Sequence, residues 1–126
     1  MSAKKRVQIT ERERLIHRVA ADPGWVQDGE VSPEAFVPRS KDHGRLSASD
    51  KGCTAQEAYD EWRKRFKNSK ANRTLTVSVG QLLDAGLKVY DDSPDGALHV
   101  HIDFNEDGVD VEVLSELLAR ECLVGP

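Results

Sequence analysis

Cysteine and long apolar runs are both scarce in this sequence. The two cysteines, Cys53 and Cys122, belong to no CxxC pair, so neither a zinc site nor a disulfide framework is indicated. The longest apolar runs are only a few residues, which excludes a membrane-spanning segment. No apolar segment follows the basic N-terminal residues, as a secretory signal would require. We therefore expect a cytoplasmic protein with no membrane partner.

The chain has 126 residues, of which 38% are hydrophobic and 32% charged. This size and composition predict a single globular domain over residues 1–126. The net charge of −4 conceals a marked asymmetry. Residues 1–73 carry 16 basic and 11 acidic side chains, whereas residues 74–126 carry 2 and 11. Such asymmetry suggests a charged partner or a charged assembly surface.

Capping boxes, in which a hydroxyl and a side chain three residues later satisfy free backbone N–H groups, mark three helix starts. They begin at Thr10, Thr54 and Ser78. The helix from Thr10 would place Leu15, Ile16, Val19 and Ala20 on one apolar stripe and end at Asp22–Gly24. The helix from Ser78 would stop at Gly86. A fourth helix is expected from about Asp110 to Glu121, with its start open among Asp107, Gly108 and Asp110.

The helix from Thr54 has the cleanest amphipathic pattern. Its apolar residues recur at helical spacing. They are Ala55, Ala58, Tyr59, Trp62 and Phe66. Because they share one stripe, we expect Trp62 and Phe66 to be buried, with Trp62 as a core anchor.

Alternating residues predict strands in the second half of the chain. Residues 74–79 alternate between hydroxyl and apolar side chains. Residues 87–90 and 98–104 flank a strong turn signal at 92–96 and should form a hairpin. Pairing Val89 with Val100 keeps the apolar residues on one face. The same register places Lys88 opposite His101.

These elements predict an α+β fold with a small sheet of about three strands, including the hairpin, and with helices packed on one face. The opposite face would be polar and would display Thr74, Thr76, Lys88, Tyr90, His99, His101 and Asp103. Residues 38–53 show no periodicity and are predicted as a long polar loop, which is usually functional or disordered at this length. A short strand through Leu46 could interrupt it.

Two patterns resemble metal sites. His99, His101 and Asp103 alternate onto one strand face, and the pattern resembles the HxHxD motif of metallo-β-lactamase-like hydrolases. The histidine that follows the aspartate in that family is Phe104 here, and the chain is too short for that fold. Residues 103–108 are similar to the first half of an EF-hand loop. The glutamate expected at its twelfth position is Leu114, so a turn is favoured. We expect no metal and no cofactor.

Basic residues cluster at the end of the second predicted helix, where they could neutralise phosphates. They are Arg63, Lys64, Lys67, Lys70 and Arg73, with Arg65 beside them. A solvated helix face is the competing interpretation. It is favoured by the pairs Asp60–Lys64 and Glu61–Arg65, whose i,i+4 spacing would neutralise part of the charge.

The sequence as a whole favours a small, non-enzymatic binding or regulatory protein that acts through protein–protein contacts. The candidate binding residues lie in the polar loop and on the polar strand face. They are Arg39, Lys41, His43, Arg45, Lys88, Tyr90, His99, His101 and Asp103. The first alternative is a nucleic-acid-binding protein that uses the basic helix. The second is a small metal- or phosphate-dependent enzyme centred on His99 and His101.

We predict that the purified protein retains no stoichiometric divalent metal. Both candidate patterns lack a ligand, since Phe104 and Leu114 stand where a histidine and a glutamate are needed. Elemental analysis after exhaustive dialysis should therefore find far less than one zinc or calcium per chain. A tightly held ion at about one per chain would overturn this expectation.

Overall fold

An antiparallel sheet of seven strands organises the chain. The structure is a computed structural model and describes residues 7–38, 45–49, 54–71, 73–91, 99–105 and 108–125. The strands are β1 (Val7–Ile9), β2 (Leu15–Val19), β3 (Val26–Gln27), β4 (Glu30–Val31), β5 (Arg45–Ser49), β6 (Thr74–Ser78), β7 (Lys88–Asp91), β8 (His99–Asp103) and β9 (Leu123–Gly125). Their order in the sheet is β1-β7-β8-β5-β2-β6-β9, and β3 and β4 form a separate hairpin. The predicted α+β class is confirmed, and the sheet has seven strands instead of about three.

Three helices and two 3-10 turns complete the described part of the chain. They are α1 (Ala55–Arg65), α2 (Val79–Asp84), α3 (Val111–Glu121) and the turns Pro23–Trp25 and Pro33–Phe36. The capping boxes at Thr54 and Ser78 are confirmed, with hydroxyl and side-chain acceptors both engaged. The third helix starts after Asp110, whose carboxylate accepts from the Val113 N–H. None of these helices has the length and apolarity needed to traverse a bilayer.

The helix predicted from Thr10 is wrong. Residues 11–14 form a turn, with Arg14 N donating to Glu11 O, and strand β2 follows. The apolar spacing of residues 15–20 predicted a helix incorrectly because both faces of β2 are buried. Ile16 is 1% exposed on one face and His17 is 4% exposed on the other. A strand buried on both sides loses its polar alternation and can be mistaken for a helix.

One face of the sheet carries the main core. Alternate residues of the central strands point to this face and pack against α2, α3 and the Pro33–Phe36 turn. The buried side chains include Ile16, Phe36, Leu46, Leu75, Val77, Leu82, Val89, Val100, Ile102 and Leu118. Their burial from water is the main stabilising contribution to this fold.

The other face is partly covered by α1, so the helices do not all lie on one side as predicted. Thr74 alternates with Leu75 and therefore points away from the main core. Gly125 of β9 lies between Thr74 and α1. A Cβ atom added to Gly125 would lie 2.8 Å from the Thr74 hydroxyl oxygen and 3.7 Å from Ala55 Cβ of α1. Glycine lets β9 pass beneath the helix. Consequently Thr74 is fully buried and Thr76 is 8% exposed, instead of being displayed to solvent.

The predicted hairpin pairs β7 with β8, in a register shifted by two residues from the expected one. Val89 lies opposite Ile102 instead of Val100, and Lys88 lies opposite Asp103 instead of His101. A shift of two residues leaves every side chain on its original face, which is why apolar parity could not distinguish the registers. The connecting residues 92–98 lie outside the described residues.

Strand β5 occupies the centre of the sheet within the segment 38–53 that was predicted as a polar loop. Leu46 and Ala48 are buried in the core, at 2% and 6% exposure. The suggested short strand through Leu46 is therefore present. The flanking residues 39–44 and 50–53 lie outside the described residues.

Leu118→Ala on α3 should lower the free energy of unfolding by about 2–5 kcal/mol, because Leu118 is fully buried and its truncation leaves a cavity. Val113→Ala on the same helix is the matched control. Val113 is 59% exposed, so its change should stay within about 0.5 kcal/mol. Urea unfolding of both variants measures the contrast, and equal losses would show that this face of α3 is assigned wrongly.

Candidate nucleic-acid interface

A surface of cationic and aromatic side chains lies at the C-terminal end of α1 and in the loop that leads to β6. We call it the basic–aromatic surface. It consists of Trp62, Lys64, Arg65, Phe66, Lys67, Lys70 and Arg73. The helix ends at Arg65, and the N–H of Phe66 still donates to the Trp62 carbonyl at 2.8 Å.

Ser69 holds the loop in this surface together. Its hydroxyl oxygen accepts from Trp62 Nε1 at 2.9 Å and from the Ala71 N–H at 3.1 Å. Its own N–H donates to the Phe66 carbonyl at 3.0 Å, which closes a turn over residues 66–69. The Arg63 guanidinium donates to the Ser69 carbonyl. The indole of Trp62 is thus held by its edge in a defined orientation.

The aromatic side chains of this surface are outside the main core, contrary to the sequence-based expectation. Trp62 is half-buried and Phe66 is 43% exposed. Their ring centroids are 4.3 Å apart at an interplanar angle of 37°. The Arg65 guanidinium lies 5.5 Å from the centre of the Phe66 ring, within cation–π range. The helical periodicity was correct, but α1 sits at the margin of the sheet, so the end of its stripe reaches solvent.

The cations of the surface are exposed to solvent. The side chains of Lys64, Lys67, Lys70 and Arg73 are all exposed. The predicted pairs Asp60–Lys64 and Glu61–Arg65 do not form within 4 Å in the described part of the chain. Asp60 instead accepts from the Gln56 amide at 3.0 Å. The positive charge therefore remains available to a ligand.

The sheet brings four candidate residues with described side chains together on β7 and β8, where Lys88 and Tyr90 are half-buried and His101 and Asp103 are buried. Tyr90 lies opposite His101, and the two rings stack with centroids 5.5 Å apart. His101 is 2% exposed and Asp103 is 3% exposed. An Asp103 oxygen accepts from the Asn105 N–H at 2.8 Å. The predicted display of His101 and Asp103 on a solvated face is therefore wrong.

Arg45 and Lys88 are the register partners of Asp103 on its two neighbouring strands. His99 pairs with Ser49 at the other end of β8. The side chains of Arg45 and His99 lie outside what the structure describes, as do residues Arg39, Lys41 and His43 entirely. Within the described residues, no group of three or more His, Cys, Asp or Glu side chains is placed to share a metal ion.

Two further polar groups occupy structural positions, His17 in a buried one and Cys122 in a half-buried one. His17 Nδ1 lies 2.8 Å from the Thr76 hydroxyl, between neighbouring strands under α1. This pair was missed because His17 was assigned to a helix. Cys122 is half-buried, and burial raises the pKa of its thiol. The thiolate needed for nucleophilic attack is therefore disfavoured at neutral pH.

Comparisons with protein-family models, with curated proteins and with solved structures found no match for this chain.

Ser69→Ala should destabilise the protein by about 1–2 kcal/mol, because two partly buried N–H donors lose their acceptor. The Trp62 indole should also become more accessible to acrylamide, measured by fluorescence in a Trp25→Phe background. Ser69→Thr keeps the hydroxyl and serves as the control. Unchanged quenching in Ser69→Ala would show that the hydroxyl does not hold the indole.

Proposed function

We propose that this protein binds single-stranded nucleic acid through the basic–aromatic surface. The observation that carries the proposal is the Trp62–Phe66 ring pair, in which Phe66 is 43% exposed, together with the exposed cations of the same helix end and loop. Sequence-tolerant binding of single strands combines these two components. Cationic side chains follow the phosphate backbone, and aromatic rings stack with the bases.

A single strand fits this surface better than a duplex. Phe66 is 43% exposed, and an exposed aromatic ring stacks with an unpaired or splayed base. The bases of a duplex already stack on each other, so a duplex would use the cations alone. We therefore expect single-stranded DNA or RNA to bind more tightly than a duplex of equal length.

The other functions considered from the sequence have weaker support. A protein partner was inferred from the charge asymmetry, and α3 does expose Glu112 and Glu116 beside Val113. That acidic face contains no feature that selects a partner. An enzyme centred on His99 and His101 requires access to the imidazoles, and His101 is only 2% exposed.

Replacing Lys64 and Lys67 together by glutamine should weaken the binding of single-stranded oligonucleotides of any sequence. The slope of log affinity against log salt should fall in magnitude by about 0.7 for each phosphate that the variant no longer neutralises. Fluorescence anisotropy with a labelled oligonucleotide of about 20 nucleotides, at a series of salt concentrations, measures both effects. Arg120→Glu on α3 is the matched control, because it changes the net charge by the same amount outside the surface.

Wild-type protein that binds no single strand even at low salt would overturn the proposal. An equal loss of affinity in Arg120→Glu would show that only net charge matters. Phe66→Ala adds an independent test, since losing one stacked base costs about 1–3 kcal/mol of binding free energy without changing the salt slope.

A further inference from the structure

We infer that a groove next to the basic–aromatic surface is a base-binding pocket that prefers bases with an exocyclic amino group over thymine and uracil. This inference rests on the proposed function, since it assigns specificity to the same nucleic-acid site. The groove has a volume of about 400 Å³, within the range of small-molecule sites. Its lining residues come from two segments of the chain, with Ala21, Asp22, Pro23 and Trp25 in one and Asn68, Ser69 and Lys70 in the other.

The groove continues the surface that the cations form. Ser69 and Lys70 belong to the loop that positions Trp62, and they also line the groove. A strand that stacks on Trp62 and Phe66 therefore has its next nucleotide beside the groove. Lys70 lines the groove itself and Lys67 lies in the same loop, so a phosphate at this position meets positive charge.

Trp25 supplies the aromatic wall of the groove. Its backbone N–H donates to the Asp22 carbonyl at 3.0 Å, and its carbonyl accepts from the Ser32 N–H at 2.7 Å. The Arg18 guanidinium lies 5.8 Å from the indole centroid, and Arg18 Nε donates to the Ala35 carbonyl at 2.6 Å. Trp25 also borders a second hollow of about 260 Å³. Arg18 therefore lies over the ring, and Trp25 borders both hollows.

Asp22 supplies the selectivity. One of its carboxylate oxygens accepts from the Gly24 N–H at 2.8 Å and caps the Pro23–Trp25 turn. Within the described residues, its other oxygen has no hydrogen-bond partner. A carboxylate can only accept hydrogen bonds at neutral pH. Aspartate accordingly accepts from the amino group of cytosine, and adenine offers an equivalent donor, whereas thymine presents a carbonyl oxygen there.

Asp22→Asn is the direct test. Asparagine keeps an oxygen that can cap the turn, but replaces the free carboxylate oxygen by an NH₂ donor. Wild-type protein should bind oligo(dC) and oligo(dA) roughly tenfold more tightly than oligo(dT), the size of discrimination expected from base contacts. Asp22→Asn should abolish or reverse this preference, because oligo(dC) and oligo(dA) lose their acceptor whereas the new NH₂ group can donate to the thymine carbonyl oxygen.

Asp28→Asn is the matched control. It removes the same charge from an exposed residue outside the groove, and its preference should stay that of the wild type. Trp25→Leu should weaken binding of all three oligonucleotides about tenfold, while Trp25→Phe should restore most of it by returning an aromatic face. Because Trp25 packs against the core, the melting temperature of each variant is measured alongside.

Two outcomes overturn the inference in different ways. Equal, salt-sensitive binding of oligo(dC), oligo(dA) and oligo(dT) by the wild type would reject the pocket and leave the proposed function standing. A preference that survives in Asp22→Asn would also reject the assigned role of Asp22. Absence of binding to all three oligonucleotides would reject the proposed function together with the pocket.

Discussion

The pairing of β5 between β8 and β2 is the interaction on which the rest of this structure depends. It joins the half-sheet β1-β7-β8 to the half-sheet β2-β6-β9. Without β5, each half would expose a strand edge with unpaired backbone groups, and the main core would be divided. Leu46 and Ala48 continue that core across the junction. The basic–aromatic surface depends on the junction indirectly, because α1 packs on β2 and β6.

The basic first part and the acidic second part of the sequence do not form two separate halves of the molecule. Strands from the two halves are interspersed in the sheet, and β2 pairs with β6 while β5 pairs with β8. The cations of the basic–aromatic surface are instead close together because they lie in one short stretch of chain at the end of α1 and in the loop that follows. The turn anchored by Ser69 holds the Trp62 indole, Arg65 lies over the Phe66 ring, and Lys67 and Lys70 belong to the same short loop. A short stretch of chain therefore builds the surface, and the sheet supplies the support.

Local signals in the sequence predicted local structure well. The boxes at Thr54 and Ser78 identify the starts of α1 and α2, since capping depends on residues only three apart. The same signal failed at Thr10, where the two neighbouring strands and the covered faces favour β2. The cations of the surface were also recognised from the sequence. The exposure of Phe66 was not, because helical spacing shows which residues share a face but not how far the neighbouring layer extends.

The amino-acid sequence by itself determined the α+β class, the three helices that form and the position of the basic cluster, because each depends on contacts within a few residues. Tertiary structure decided the number of strands, the hairpin register and the burial of His101 and Asp103. It also decided that Asp22 and Trp25 line one groove with Asn68 and Lys70. These features depend on contacts between residues that are distant in the chain, where many pairings satisfy the same apolar pattern and only packing distinguishes them.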